Sequence, residues 1–317
     1  MKYHLKVYPL PIVVGVLLLA TIHASPGDRA SDFQACLIGC GIKRCLHVAG
    51  TCMPVCHEHS SLYQSGVAHW WPWTCAQECR YQCMWQRVQT TGSVEKYYGK
   101  WPFVRVLGAQ EIAAALLSLA NLGAHARGLS MLWRGPTRNV RMRAVYTTQG
   151  TIAMASWAAA AAFHTRDVGF TEAVDYFLAD AVVFSSLVTT LLRVWGVARP
   201  GRVLLIVAAG AALFARHWLY MTRVVFDYGL NMRVCLTLGV VNAAVWLLWA
   251  WRTRHPARRG LSTWFGVLFA CMALEVFDFS PLCKVVDAHA LWHACTVPLT
   301  LAWYRLLAVD LAFNEYW

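Results

Sequence analysis

Charged side chains are scarce in this chain. Asp, Glu, Lys and Arg make up 14% of its 317 residues, where a soluble domain carries roughly a quarter. That shortage excludes an ordinary soluble domain. Acidic residues are the rarer sign, 16 against 28 basic, so the formal net charge is +12. The basic residues fall between apolar runs instead of forming one patch. They read as a topology signal, not as a nucleic-acid interface. No N-x-[ST] acceptor is present, so glycosylation marks no segment as lumenal. CxxC spacing is absent as well, which argues against a zinc ribbon. What the chain has in plenty is apolar surface, 58% of residues. Several of its runs approach the roughly 20 residues needed to cross a bilayer. The composition predicts an all-α polytopic membrane protein.

The N-terminus has the pattern of a secretory signal. Lys2 and Lys6 precede the apolar run from Leu10 to Ala20, and small residues follow at Ala24 and Ser25. Cleavage is expected near Ala24, which makes residues 1–24 a signal peptide. Eight of the twelve cysteines come next: Cys36, Cys40, Cys45, Cys52, Cys56, Cys75, Cys79 and Cys83. An even count in a segment that follows a signal predicts a disulfide framework in an oxidising lumen. Most spacings leave three residues between cysteines, the i,i+4 step of a helix; zinc is the rival use of these thiolates. Residues 25–103 are therefore taken as a cysteine-rich lumenal segment. Cys235, Cys271, Cys283 and Cys295 lie in or beside apolar runs and are expected as free, buried thiols.

Seven apolar segments fill residues 104–317: Val104–Leu122, Ala144–Phe163, Tyr176–Leu192, Val203–Tyr220, Val234–Trp251, Thr263–Phe279 and Ala288–Leu307. The connections after the first, third and fifth carry most of the arginines. The positive-inside rule puts those loops and the tail "LAFNEYW" in the cytosol, and the cysteine segment in the lumen. The redox argument from the cysteines reaches the same orientation independently.

This topology gathers a set of polar groups. His164 follows the lumenal end of the second segment, and Asp175 precedes the third on the same side. His289 and His293 occupy the first two turns of the seventh. Residues i and i+4 of a helix share a face, so this pair can bridge one zinc ion. His164 would complete a three-histidine site with an open fourth position, the pattern in which zinc activates water. Asp175 is the candidate general base. Several ionisable groups at one membrane depth read as functional. Glu111, Glu275 and Asp278 are expected to make hydrogen bonds between helices, Asp287 to cap the seventh segment, and His217 to be structural.

The stretches "GKWPF" (99–103), "FHTRD" (163–167), "TEAVDYF" (171–177), "VFDYG" (225–229), "LEVFDFSPL" (274–282) and "DAHALWH" (287–293) occur in order along the chain. With the lumenal "WTCAQECRYQCMW" (73–85), they resemble the post-GPI attachment to proteins factor 3 family, whose yeast members are Per-one-like. That family sits in the CREST superfamily of seven-helix membrane hydrolases, together with alkaline ceramidases and adiponectin receptors. The resemblance implies remodelling of GPI anchors in the endoplasmic reticulum or Golgi membrane. The implied reaction removes the sn-2 acyl chain from the inositol phospholipid of GPI-anchored proteins, a phospholipase A2 type of step. It also implies zinc as cofactor, His164, His289 and His293 as ligands, and these with Asp175 as the catalytic set. The superfamily pattern places a serine four residues before the first histidine; this chain has Ala160 there. A lost oxyanion donor costs roughly two to three powers of ten in rate. A non-catalytic escort factor for GPI-anchored proteins is therefore the alternative. A ceramidase-like amidase and a seven-helix receptor fit less well.

Overall fold

The structure is a computed structural model that describes residues 25–48, 51–54 and 73–313. The signal segment 1–24 and Cys56 lie outside the described residues, as do the side chains of Cys45, Cys52 and Cys75. The chain divides into two compact units.

The smaller unit spans His23–Ile112 and adds Phe279–Asp287. It holds α1 (Pro26–Arg29), α2 (Ser31–Arg44), a short antiparallel pair β1 (Cys45–Val48) and β2 (Thr51–Pro54), and α3 (Cys75–Thr91). Thr74 and Gln77 form a capping box at the start of α3, and Gly92 ends it in the left-handed region at φ 67°. The i,i+4 cysteines act as rungs: Cys36 pairs with Cys83 and Cys40 with Cys79, which ties α2 to α3. Phe33, Trp85, Val88 and Tyr97 pack around those rungs. Arg87 bridges Asp32 at 2.5 Å and Glu95 at 3.1 Å. Arg105 lies over the rings of Trp73 and Tyr81 and pairs with Glu78 at 2.7 Å. The later strand of chain returns through the Lys284 carbonyl, which accepts from Val104 N–H at 3.0 Å.

The larger unit spans Ala113–Asp278 and Ala288–Trp317. Its helices are α4 (Ile112–Arg134), α5 (Val140–Thr165), α6 (Gly169–Trp195), α7 (Pro200–Arg223), α8 (Tyr228–Arg252), α9 (Arg258–Val276) and α10 (Ala288–Ala312). Asn139 caps α5 by accepting from Met142 N–H, and Asp227 caps α8 by accepting from Leu230 N–H. Gly196 and Pro200 separate α6 from α7. Four of these helices, α6, α7, α8 and α10, are long and apolar enough to cross a membrane. The protein is thus a helical, multi-pass membrane protein.

The first long helix begins later than the hydropathy suggests. Apolar residues start at Val104, but α4 starts at Ile112. Leu107 and Gly108 both take positive φ, 53° and 81°, and close a turn bridged between Val106 and Ala109. A turn of that hand stops a helix from passing through it.

The core of this unit is built on Tyr146, Trp246, Trp249, Leu261, Phe265, Tyr304 and Leu307. Tyr304 sits in a notch made by two glycines: a Cβ on Gly128 would come within 2.0 Å of its ring, and one on Gly150 within 2.4 Å of its hydroxyl. Small residues let helices approach in this way. Farther along α10, buried Asp310 accepts from Arg193 Nε at 2.8 Å and from Tyr146 at 2.7 Å. Cys235, Cys271, Cys283 and Cys295 are free thiols as expected, but not buried ones: Cys283 is exposed and the other three are half-buried.

Candidate metal centre

Four elements of the larger unit build one polar cluster. His164 is in the last turn of α5, and His289 and His293 are in the first two turns of α10. One ring nitrogen from each of the three lies within 4.8 Å of those from the others. His164 and His293 are buried, while the His289 side chain keeps 38% of its surface exposed. The cluster therefore opens on the side of His289.

The nitrogen geometry fits a cation. The Nε2 atoms of His164 and His289 are 3.2 Å apart. Two nitrogens bound to one tetrahedral zinc at about 2.0–2.1 Å lie about 3.3 Å apart. On His289 the other nitrogen, Nδ1, faces the Glu275 carboxylate on α9 at 2.7 Å. On His293, Nδ1 lies 3.1 Å from Ser118 Oγ and 3.3 Å from the Ala114 carbonyl, both on α4. An acceptor-only carboxylate and a carbonyl place the proton on Nδ1 in each ring. The Nε2 lone pairs are then left to point into the cluster.

Asp175 lies in the second turn of α6, half-buried, and is not a member of the converging nitrogen set. Ala160 is buried one turn before His164. The hydroxyl of nearby Thr165 donates to the Ala161 carbonyl at 2.7 Å. Glu275 makes the hydrogen bond between helices expected of it, and its partner is His289. His217 accepts its place beside Asn231, 2.7 Å away, on the neighbouring α8.

The profile of the Per1-like family matches the chain over residues 66–311. The chain belongs to the Per1-like family. A mouse relative named "GPI-specific phospholipase A2-like PGAP3" is 34% identical over 309 residues, covering 95% of this chain and 93% of its own length. A Drosophila melanogaster relative named "Post-GPI attachment to proteins factor 3" is 33% identical over 317 residues, covering 96% and 94%. The human relative, named like the mouse one, is 33% identical over 310 residues, covering 95% and 93%. No solved structure matches the chain. The resemblance read from the sequence motifs is therefore a family relationship.

Two residues of this Per1-like chain that hold the cluster together carry no motif. Ser118 and Asn121 are fully buried on α4, and Asn121 Nδ2 donates to the His293 carbonyl at 2.8 Å. The available signal was two polar residues three apart in the otherwise apolar first half of α4, residues 112–124.

Proposed function

We propose that this protein is a metal-dependent hydrolase that removes the sn-2 acyl chain from the inositol phospholipid of GPI-anchored proteins. The observation that carries the reading is the convergence of three histidine nitrogens, with acceptors behind two of the rings. His164, His289 and His293 would hold the ion through the ring nitrogens that converge between them. A bound zinc ion supplies a Lewis acid for an ester carbonyl and acidifies water at neutral pH. Asp175 acts as general base on the attacking water. The exposed flank of His289 admits the ester, and burial of His164 and His293 keeps bulk water from their far side. The names carried by the relatives supply the substrate class.

In this reading the seven long helices all cross the membrane, with the cysteine-rich segment lumenal and the C-terminus cytosolic. The compartment is the endoplasmic reticulum or the Golgi apparatus. An ester just below the lumenal headgroups matches histidines in the last turn of α5 and the first turns of α10.

Ala160 favours a second reading, an escort factor that binds GPI-anchored proteins without cleaving them. Purified protein separates the two. Incubated with a GPI-anchored protein, the hydrolase releases one fatty acid per anchor, loses the activity to a zinc chelator and regains it with added zinc. Binding of the anchored protein with no fatty acid released, in the presence of zinc, supports the escort and overturns the hydrolase.

A further inference from the structure

We infer that one stripe of α4, Ala114, Ser118 and Asn121, is a dedicated mount for His293, and that Ser118 is the positioning residue that sets which nitrogen of His293 faces the metal. The inference rests on the three-histidine reading above and adds to it a helix that supplies no ligand.

The three residues are spaced i, i+4 and i+7, so they share one face of α4. All three are buried, Ser118 and Asn121 completely. Two of them meet the ring of His293 at Nδ1, and the third meets its backbone carbonyl. The Ser118 hydroxyl donates to the Ala114 carbonyl at 2.8 Å, so its lone pairs face the His293 ring, 3.1 Å from Nδ1. The Ala114 carbonyl, 3.3 Å from the same nitrogen, can only accept. Two acceptors at Nδ1 hold the proton there and leave Nε2 as the ligand nitrogen. The reverse tautomer would place an N–H in the cluster and block coordination.

Asn121 fixes the backbone beneath the ring. Its Nδ2 donates to the His293 carbonyl at 2.8 Å and to the Leu117 carbonyl at 3.0 Å. Thr296 Oγ1 donates to the same His293 carbonyl at 2.8 Å. Trp157 of α5 closes the remaining side, edge-on to the ring at 5.0 Å. His293 is thereby held in position, orientation and tautomer.

Ser118 does not take over from the serine that Ala160 replaces. Its proton is committed to Ala114, so it acts through His293 and not on the substrate.

The test is zinc affinity of the full-length protein in detergent, measured by competition with a fluorescent chelator, beside thermal unfolding of the metal-free form. Ser118→Ala is expected to weaken zinc binding by roughly tenfold or more, the usual effect of losing a hydrogen-bond partner behind a ligating histidine. The metal-free unfolding temperature should stay close to that of the wild type. Unchanged zinc affinity in Ser118→Ala overturns the inference. A lowered metal-free unfolding temperature with unchanged affinity does the same, because it marks a purely structural residue. If the alanine variant does not accumulate, Ser118→Cys, similar in size and a weaker acceptor, is read by the same two outcomes. Wild-type protein that binds no zinc removes the metal reading itself, a result distinct from a Ser118 variant that binds as the wild type does.

Discussion

At the scale of single residues, the cluster divides into groups that a sequence can reveal and groups that it cannot. His289 and His293 are legible because their spacing is local and one helix turn brings them together. His164 joins them only through a topology argument, yet its place at the end of an apolar segment was enough. Ser118 lies 175 positions from His293 in the chain, and the polar pair in "LLSLAN" does not say which residue it meets. Glu275 was visible as a carboxylate in an apolar helix, but its partner was not. Its contact with His289 at 2.7 Å leads to a prediction. Glu275→Gln keeps an acceptor and removes the charge behind the ring. Zinc affinity should fall about tenfold, measured by chelator competition, with the metal-free unfolding temperature retained. Affinity equal to wild type would show that the carboxylate does not support the ligand.

At the scale of elements, helix existence was readable and helix boundaries were not. The apolar count begins at Val104, whereas the chain turns at Leu107–Gly108 and enters α4 at Ile112. Hydropathy measures burial or lipid contact and is blind to the hand of a turn. The cysteine spacing did carry structural information. The i,i+4 pairs on α2 and α3 became two rungs, each closing a loop worth about 4 kcal/mol in the chain-entropy picture. The β1–β2 pair had no such signal. Close helix packing depends on contacts far apart in sequence, as the seat of Tyr304 against Gly128 and Gly150 illustrates. Gly128→Ala places a methyl within 2.0 Å of the buried Tyr304 ring. It should destabilise the helical unit by about 1–3 kcal/mol, seen as a lower unfolding temperature in detergent, while the disulfides still form. An unfolding temperature equal to the wild type would mean that α4 and α10 can separate freely at this contact.

At the scale of the whole molecule, the orientation rests on where the arginines and the cysteines lie, and the lack of any natural N-x-[ST] acceptor makes it easy to test. Gln89→Asn creates an acceptor with Thr91 at an exposed position near the end of α3. The variant should gain one glycan, read as an endoglycosidase-sensitive mass shift, and an acceptor peptide appended after Trp317 should stay unmodified. A glycan on the appended peptide instead would invert the topology and move the histidines to the cytosolic face. The central claim, a metal-dependent deacylation of GPI lipids, needs the reaction itself. The most direct measurement is the GPI-anchor lipid profile, by mass spectrometry, of cells that lack the gene and receive either wild type or His289→Ala with His293→Ala at matched expression. The account predicts that wild type alone restores removal of the sn-2 chain. Equal restoration by the double variant would contradict it.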